Sequence, residues 1–204
     1  IQMNQAGIEN VVSSSGTALT ADQIRLVNRL TPNITVLFDG DAAGQRAAGK
    51  AMVACLPFAQ DTRSIKFLFL PPEHDPDSYI RAHGTDAFAQ CVQQAVPLSQ
   101  FMQDVAAKRC DTASAEGRAL LASNAKPLWS ALPDGALKRQ LLGEFAQRVG
   151  LAVAELADLW KLAPAGIPTD NHFNSKQSNQ IKRQEGFYHD FDHHSLANEV
   201  WTEE

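Results

Sequence analysis

Residues 34–44 read Ile-Thr-Val-Leu-Phe-Asp-Gly-Asp-Ala-Ala-Gly, and this stretch decides how the rest of the chain is interpreted. Its apolar, branched first half is typical of a buried strand in a parallel sheet. Ligands of such sheets bind beyond the carboxyl ends of the strands, which is where Asp39 and Asp41 follow. Gly40 allows a sharp turn, and Gly44 allows close approach to a neighbouring segment or a phosphate. The two aspartates can share a hard cation such as Mg²⁺, and the alternative is a metal-free turn with Asp41 as helix N-cap.

The segments around this stretch alternate between strand and helix. The spacing of Thr20 and Gln23 matches a capping box and predicts a helix start. A helix rich in small residues is predicted from about Ala42 to Leu56, and Ser64–Leu70 is a second apolar strand. A short strand is also predicted at Asn10–Val12. The alternation predicts an α/β fold with a mostly parallel sheet flanked by helices.

A second acidic pair, Asp75 and Asp77, follows the second predicted strand with the same D-x-D spacing. Parallel neighbours place their carboxyl ends side by side, so both pairs could line one cavity. The carboxylates would repel one another there unless cations neutralised them, as in a two-metal centre for phosphoryl transfer. Asp75 at an N-cap with Pro76 at the first helical position is also an ordinary helix start, so capping remains the alternative.

Two further features are candidates for phosphate contacts. The small-residue loop 13–17 follows the predicted strand at Asn10–Val12, and Ser15, Gly16 and Thr17 offer hydroxyl and N–H groups to a phosphate or a nucleic-acid backbone. A simple connector is the alternative for this loop. Arg46, on the helix rich in small residues, adds a cation near the acidic turn.

Composition restricts the class of protein. The chain is 44% apolar and carries a net charge of −5, which fits a globular protein that does not bind nucleic acid with its whole surface. The three cysteines form no C-x-x-C pair, so free thiols in a reducing compartment are expected. No apolar run approaches the ~20 residues of a membrane span, and no basic region followed by an apolar stretch points to secretion. We therefore expect a cytoplasmic protein without membrane contact. Because the chain begins at Ile1 in sequence typical of a folded segment, we also expect a preceding N-terminal portion.

The pattern changes near residue 96. Residues 96–163 show successive helical stripes and predict an all-α helical subdomain, whereas residues 1–95 form the α/β part. Residues 164–204 are polar and predict a linker or disordered tail. This tail holds four of the six histidines: His172, His189, His193 and His194. The set His189-Asp190-x-Asp192-His193-His194 could hold a transition metal, and a solvated flexible tail is the alternative.

Four segments in this order resemble the TOPRIM domain of bacterial DnaG-type DNA primases. The segments are Ser14–Thr20, Val36–Gly44, Phe67–Pro71 and Asp75–Ser78. Residues 1–95 resemble a TOPRIM domain that lacks its first strand. The resemblance continues into residues 96–163, which are similar to the helical end of the primase polymerase core.

The resemblance implies a DNA-directed RNA polymerase that makes short primers from ribonucleoside triphosphates on a single-stranded DNA template. It implies Mg²⁺ or Mn²⁺ as cofactor and the replicative helicase as partner. Asp39, Asp41, Asp75 and Asp77 match the positions of the family's metal ligands, and Asp39 and Asp41 would be catalytic.

The chain also departs from the family pattern. The E-G-Y-x-D turn of the first TOPRIM strand, the zinc-binding domain and the basic first half of the polymerase core are absent, so zinc is expected only outside this chain. The tail does not match a helicase-binding domain. Helicase contacts are therefore likewise expected outside this chain. We therefore expect this chain alone to be inactive.

Two alternatives to a primase remain open. Another TOPRIM enzyme, a topoisomerase or a nuclease, would cleave DNA, and a topoisomerase would need a nucleophilic tyrosine, for which only Tyr79 and Tyr188 are present. The other alternative is a non-catalytic helical docking module whose acidic turns are only caps.

Overall fold

The computed structural model describes residues 8, 10–13 and 19–161. The described residues up to Trp160 belong to one compact unit, and a second unit begins at Lys161, of which only Lys161 is described. Ser15, Gly16 and Thr17, together with the predicted tail and its histidines, lie outside the described residues.

Strands and helices alternate in the first half of the described chain, and helices follow one another in the second half. In chain order the elements are α1 (Ala21–Val27), β1 (Asn33–Phe38), α2 (Ala42–Cys55), a 3-10 turn (Leu56–Phe58), β2 (Ser64–Phe69), α3 (Pro76–Gln93), β3 (Val96–Pro97), α4 (Leu98–Ala107), α5 (Ala115–Ser130), α6 (Ala136–Val149) and α7 (Val153–Lys161). None of the helices in this described part of the chain combines the length and apolar character needed to cross a bilayer.

The sheet has three strands in the order β1-β2-β3. β1 and β2 are parallel, with Phe38 opposite Phe69 at their carboxyl ends, and α2 connects them. β3 is antiparallel to β2 and places Val96 opposite Phe67. The predicted α/β fold with a helical part is confirmed. The sequence analysis missed β3, because two residues are too short to show strand periodicity.

The strand predicted at Asn10–Val12 is wrong. These residues have no regular secondary structure, and the side chains of Val11 and Val12 are 40% and 76% exposed. An apolar pair reads as a strand in sequence, but a strand is stabilised only when it pairs with a neighbour and packs one face on a core.

One apolar core joins the sheet to the helices. Phe67 of β2 is fully buried and its ring lies 4.9 Å from that of Phe101 on α4. Ala48 and Ala51 are also buried, so the small residues of α2 allow this helix to pack closely on the sheet. The same core cluster extends through α5, α6 and α7 to Trp160. The helical region is therefore packed against the α/β region.

A polar contact adds to this packing. The carboxylate of Asp61, in the loop before β2, accepts hydrogen bonds from the backbone N–H groups of Ala136 (2.9 Å) and Leu137 (2.8 Å) at the start of α6. These bonds hold the pKa of Asp61 below its ordinary value. Gly135, the residue before α6, has no side chain, and a Cβ there would lie 2.8 Å from Asp61 Oδ1. Asp61 therefore caps α6 from another part of the chain.

Helix α3 is interrupted at Gly84. The backbone there has φ 86° and ψ 167°, a conformation that is open to glycine and strained for other residues. The interruption divides α3 into two helical segments that meet at Gly84.

Candidate functional site

The first acidic turn consists of Asp39, Gly40 and Asp41, and these three residues connect β1 directly to α2. Asp39 follows Phe38 directly and is exposed. Asp41 is the N-cap of α2, and its Oδ1 accepts a hydrogen bond of 2.6 Å from the Gly44 backbone N–H. A Cβ on Gly44 would lie 2.0 Å from the carbonyl oxygen of Asp39, so the first turn of α2 packs directly on the backbone of this aspartate.

The backbone of this first turn touches the segment that leaves β2. A Cβ on Gly40 would lie 2.0 Å from the carbonyl oxygen of Leu70 and 3.1 Å from the nitrogen of Pro72. The Leu70 N–H also donates to the Phe38 carbonyl at 3.3 Å. Only glycine fits between the two segments, and the contact brings the D-G-D turn against the segment that leads to Asp75.

The second acidic turn begins α3. Asp75 is its N-cap: the carboxylate accepts from the Ser78 N–H at 2.7 Å, and the Asp75 N–H donates to Ser78 Oγ at 3.0 Å. The backbone N–H and the hydroxyl of Ser78 lower the pKa of Asp75, which keeps its carboxylate ionised. Asp77, in the first turn of the helix, forms an ion pair with Arg81.

Capping therefore occurs at both turns, as the metal-free alternative expected. Within residues 8, 10–13 and 19–161, no three His, Cys, Asp or Glu side chains are grouped so that they could hold a metal ion. The donor chemistry nevertheless fits Mg²⁺, a hard cation that is commonly held by one or two carboxylates together with substrate phosphates. Asp41 and Asp75 commit an oxygen to their caps, and the two acidic turns lie in the segments that follow adjacent parallel strands. Arg46 lies on the exposed side of α2.

Sequence reasoning missed an aromatic group next to the second turn. Its members are His74, Tyr79 and His83, whose rings contact one another. His74 Nδ1 lies 3.2 Å from Ser78 Oγ, which connects this group to the capping box of Asp75. The available signal was the i, i+4 spacing of Tyr79 and His83 on a predicted helix, with His74 just before it.

The sequence matches two families of protein domains in succession. Residues 1–80 match the family described as Toprim-like, and residues 99–154 match the DnaB-helicase binding domain of primase. The DNA primase of Pasteurella multocida is 40% identical over 165 residues, which are 81% of this chain and 28% of that protein. A crystal structure of a DNA primase domain from Pseudomonas aeruginosa is 37% identical to this chain, with a TM-score of 0.75. The match covers 79% of this chain and 50% of the Pseudomonas aeruginosa chain. The chain belongs to the DnaG-type DNA primase family.

The DnaG-type relatives are longer than the region they share with this chain. The chain spans 28% of the length of the Pasteurella multocida protein and 50% of the Pseudomonas aeruginosa domain. A third relative is the DnaG primase catalytic domain bound to ssDNA, with 37% identity, a TM-score of 0.72, and coverage of 76% of this chain and 49% of that chain.

The position of the second family match differs from what the sequence analysis expected. Helicase contacts were expected outside this chain, because the tail after Pro164 resembles no helicase-binding domain. The match instead covers residues 99–154, which span α4, α5 and α6 and the start of α7 of this DnaG-type chain.

Proposed function

We propose that this chain carries part of the nucleotidyl-transfer centre of a DNA primase, a DNA-directed RNA polymerase that makes short primers on single-stranded DNA. The observation that carries the proposal is the contact between Gly40 and the backbone of Leu70 and Pro72. It joins the segments that bear the two acidic pairs at one end of a parallel strand pair, where α/β proteins bind their ligands.

In this proposal Asp39, Asp41, Asp75 and Asp77 hold Mg²⁺ or Mn²⁺, and Asp39 and Asp41 are the catalytic pair. A bound divalent cation would stabilise negative charge on the phosphoryl oxygens during transfer. The chain itself supplies positioned carboxylates. The Ser78 hydrogen bonds lower the pKa of Asp75, and the bond from Gly44 fixes the orientation of Asp41.

Substrates and phosphate contacts belong to the same proposal. We propose that the template is single-stranded DNA and that the substrates are ribonucleoside triphosphates. The similarity to the catalytic domain bound to ssDNA supports the template assignment. Ser15, Gly16, Thr17 and Arg46 are proposed to contact phosphates. Residues 1–95 would then be the catalytic part and residues 96–163 the helical subdomain, in a cytoplasmic replication protein.

The helical region is proposed to contact the replicative helicase. The match of residues 99–154 to the DnaB-helicase binding domain of primase supports this assignment. Large apolar side chains of the region are also exposed, and burial of such side chains is a usual source of affinity between proteins. They are Leu120, Val153 and Leu159.

The metal assignment is tested by adding Mn²⁺ to the ¹⁵N-labelled chain and recording paramagnetic broadening of backbone signals. We expect broadening at Asp39–Asp41 and Asp75–Asp77, and its loss in the double variant Asp39→Ala/Asp41→Ala. Asp134→Ala, an exposed aspartate in the helical region, is the matched control and should leave the broadening unchanged. Signals of both turns that stay sharp in Mn²⁺ would leave capping as the only role of these aspartates.

The activity is tested in the longer primase that contains this chain. Asp39→Ala and Asp41→Ala should each reduce primer synthesis by at least about a hundredfold, because loss of charge stabilisation of a few kcal/mol lowers a rate by that factor. Primer synthesis at the normal rate by either variant would contradict the assigned role.

A further inference from the structure

Three aromatic rings lie beside the second acidic turn, and the proposed transfer chemistry uses none of them. His74 belongs to the segment before α3, and Tyr79 and His83 lie one turn apart on the helix. The ring centroids of Tyr79 and His83 are 4.6 Å apart, those of His74 and His83 are 5.3 Å apart, and those of His74 and Tyr79 are 5.7 Å apart. The planes of Tyr79 and His83 are tilted by 40° to each other, and His74 meets both rings edge-on, so the three rings form one aromatic cluster, named here the His74–Tyr79–His83 surface.

Two of the rings are anchored from the protein side. The hydroxyl of Tyr79 lies 3.2 Å from Cys91 Sγ, and its ring meets the buried Phe88 edge-on at 6.5 Å between centroids. His74 is held by Ser78 Oγ at 3.2 Å. Rings fixed in this way lose little conformational freedom when a ligand covers them.

The third ring is the outermost. His83 is exposed, and the interruption of α3 at Gly84 follows it immediately. The space around Gly84 is open, with no heavy atom within 4 Å of the position that a Cβ would occupy. The aromatic surface is thus accessible to a ligand at the end where His83 lies.

The rings also lie near the carboxylates that are proposed to hold a cation. A helix rises about 1.5 Å per residue, so Tyr79 and His83 lie about 6 Å and 12 Å along α3 from Asp75. The rings are therefore within reach of a nucleotide whose phosphates bind at the acidic turn. The two histidines could instead be considered as metal ligands, but no third ligand joins them among the described residues.

We propose that the His74–Tyr79–His83 surface binds a nucleobase by stacking, adjacent to the metal-binding turn at Asp75 and Asp77. This inference rests on the proposed function, which supplies the nucleic acid. Aromatic side chains stack on bases of any sequence, because every base presents a π-face. The base could belong to a single strand or to a ribonucleoside triphosphate, since both present the same face.

The test uses the fluorescence of 2-aminopurine, which decreases when the base stacks. The 204-residue chain is titrated into a single-stranded oligonucleotide that contains 2-aminopurine and, separately, into 2-aminopurine riboside triphosphate with Mn²⁺. We expect quenching by the wild-type chain in at least one arm. His83→Ala should weaken the affinity about fivefold or more, whereas His83→Phe, which keeps an aromatic face, should retain it.

Matched controls separate stacking from other contacts. Gln90→Ala changes an exposed residue farther along α3 and should bind like the wild type. An abasic oligonucleotide of equal length should bind the wild-type chain and His83→Ala equally. Quenching in only one arm supports the proposal and identifies the source of the base as the strand or the free nucleotide.

Three results would overturn the stacking surface. They are the absence of quenching by the wild type in both arms, an equal loss of affinity for the abasic strand in His83→Ala, and a His83→Phe variant that behaves like His83→Ala. Mn²⁺ broadening at the acidic turns, measured on the same samples, keeps the two proposals apart. Quenching without broadening overturns the metal assignment alone, and broadening without quenching overturns stacking alone.

Discussion

The two acidic turns of this chain share the spacing D-x-D but differ in which aspartate caps the helix that follows. In the first turn the second aspartate, Asp41, is the N-cap of α2, and Asp39 stays outside the helix. In the second turn the first aspartate, Asp75, is the N-cap of α3, and Asp77 lies inside it beside Arg81. Identical spacing thus gives two different arrangements of carboxylates.

The difference follows from the residue between the aspartates. Gly40 lets the first turn pass against the backbone of Leu70, so the chain leaves β1 and enters α2 at once. Pro76 fixes φ at a helical value, so the second helix begins between its two aspartates. The first turn is therefore shaped by a tertiary contact, and the second is shaped by local sequence.

The largest expected effect tests that tertiary contact. Gly40→Ala would place a Cβ 2.0 Å from the Leu70 carbonyl oxygen, and two backbone segments would have to separate. We expect a loss of at least about 2 kcal/mol in the free energy of unfolding, measured by urea denaturation. Broadening by Mn²⁺ should weaken at both turns together, because the contact joins them.

Gly143→Ala is the matched control for this substitution. Gly143 lies within α6, and nothing stands within 4 Å of the position of its Cβ. Alanine is the better helix former there, so we expect a gain of about 0.5–1 kcal/mol. A Gly40→Ala variant as stable as the wild type would show that the two segments can move apart freely.

The next effect separates capping from metal binding at the first turn. Asp41→Ala removes the cap of α2 and should cost about 1 kcal/mol, whereas Asp41→Asn keeps a good N-cap and should leave the stability nearly unchanged. Both variants remove the charge, so both should weaken Mn²⁺ broadening near Asp39. If Asp41→Asn bound Mn²⁺ as the wild type does, Asp41 would be a cap and no ligand.

Some of this arrangement could be predicted from the sequence. The apolar runs that became β1 and β2, the capping box at Thr20 and the helix start at Asp75 are local patterns, and each of these elements is confirmed. The burial predicted for β1 is wrong: its residues are half-buried or exposed, because β1 has a neighbour on only one side in the described sheet. The choice of Asp41 as the cap of the first turn was also among the alternatives.

Other parts depend on contacts between residues that are apart in sequence, and their local patterns are absent or incomplete. The two-residue strand β3 exists only because it pairs with β2. Asp61 caps α6 although no sequence motif connects the two. The His74–Tyr79–His83 surface needs the fold to bring Cys91 and Phe88 beneath Tyr79.

A smaller expected effect is the dependence of folding stability on pH through Asp75 of the second turn. The hydrogen bonds from Ser78 lower the pKa of Asp75 in the folded chain relative to the unfolded chain. Asp75 therefore stabilises the fold above its unfolded pKa of about 4, and this contribution is lost as the pH falls through the lowered folded pKa. Asp75→Asn should lower the Tm at pH 7, and its difference from the wild type should shrink toward pH 2.

Asp86→Asn, at an exposed position of α3 outside the capping box, is the control for loss of charge alone. A difference between wild type and Asp75→Asn that stays constant from pH 7 to pH 2 would contradict ionisation-dependent capping at this turn.

The smallest effect concerns the ion pair between Asp77 and Arg81 at the second turn. The Arg81 side chain is 73% exposed and that of Asp77 is 23% exposed, so the pair should contribute less than about 1 kcal/mol to stability.

Arg81→Ala should leave the Tm nearly unchanged but release Asp77 and remove a positive charge beside it. Mn²⁺ should then bind the second turn more tightly, while Arg81→Lys, which keeps the charge, should bind it as the wild type does. Because Arg81 pairs with Asp77 of the second turn, the Mn²⁺ response of the first turn should be the same in all three proteins. A change of equal size at both turns would mean that Arg81 acts through the overall charge of the site and that Asp77 is not its specific partner.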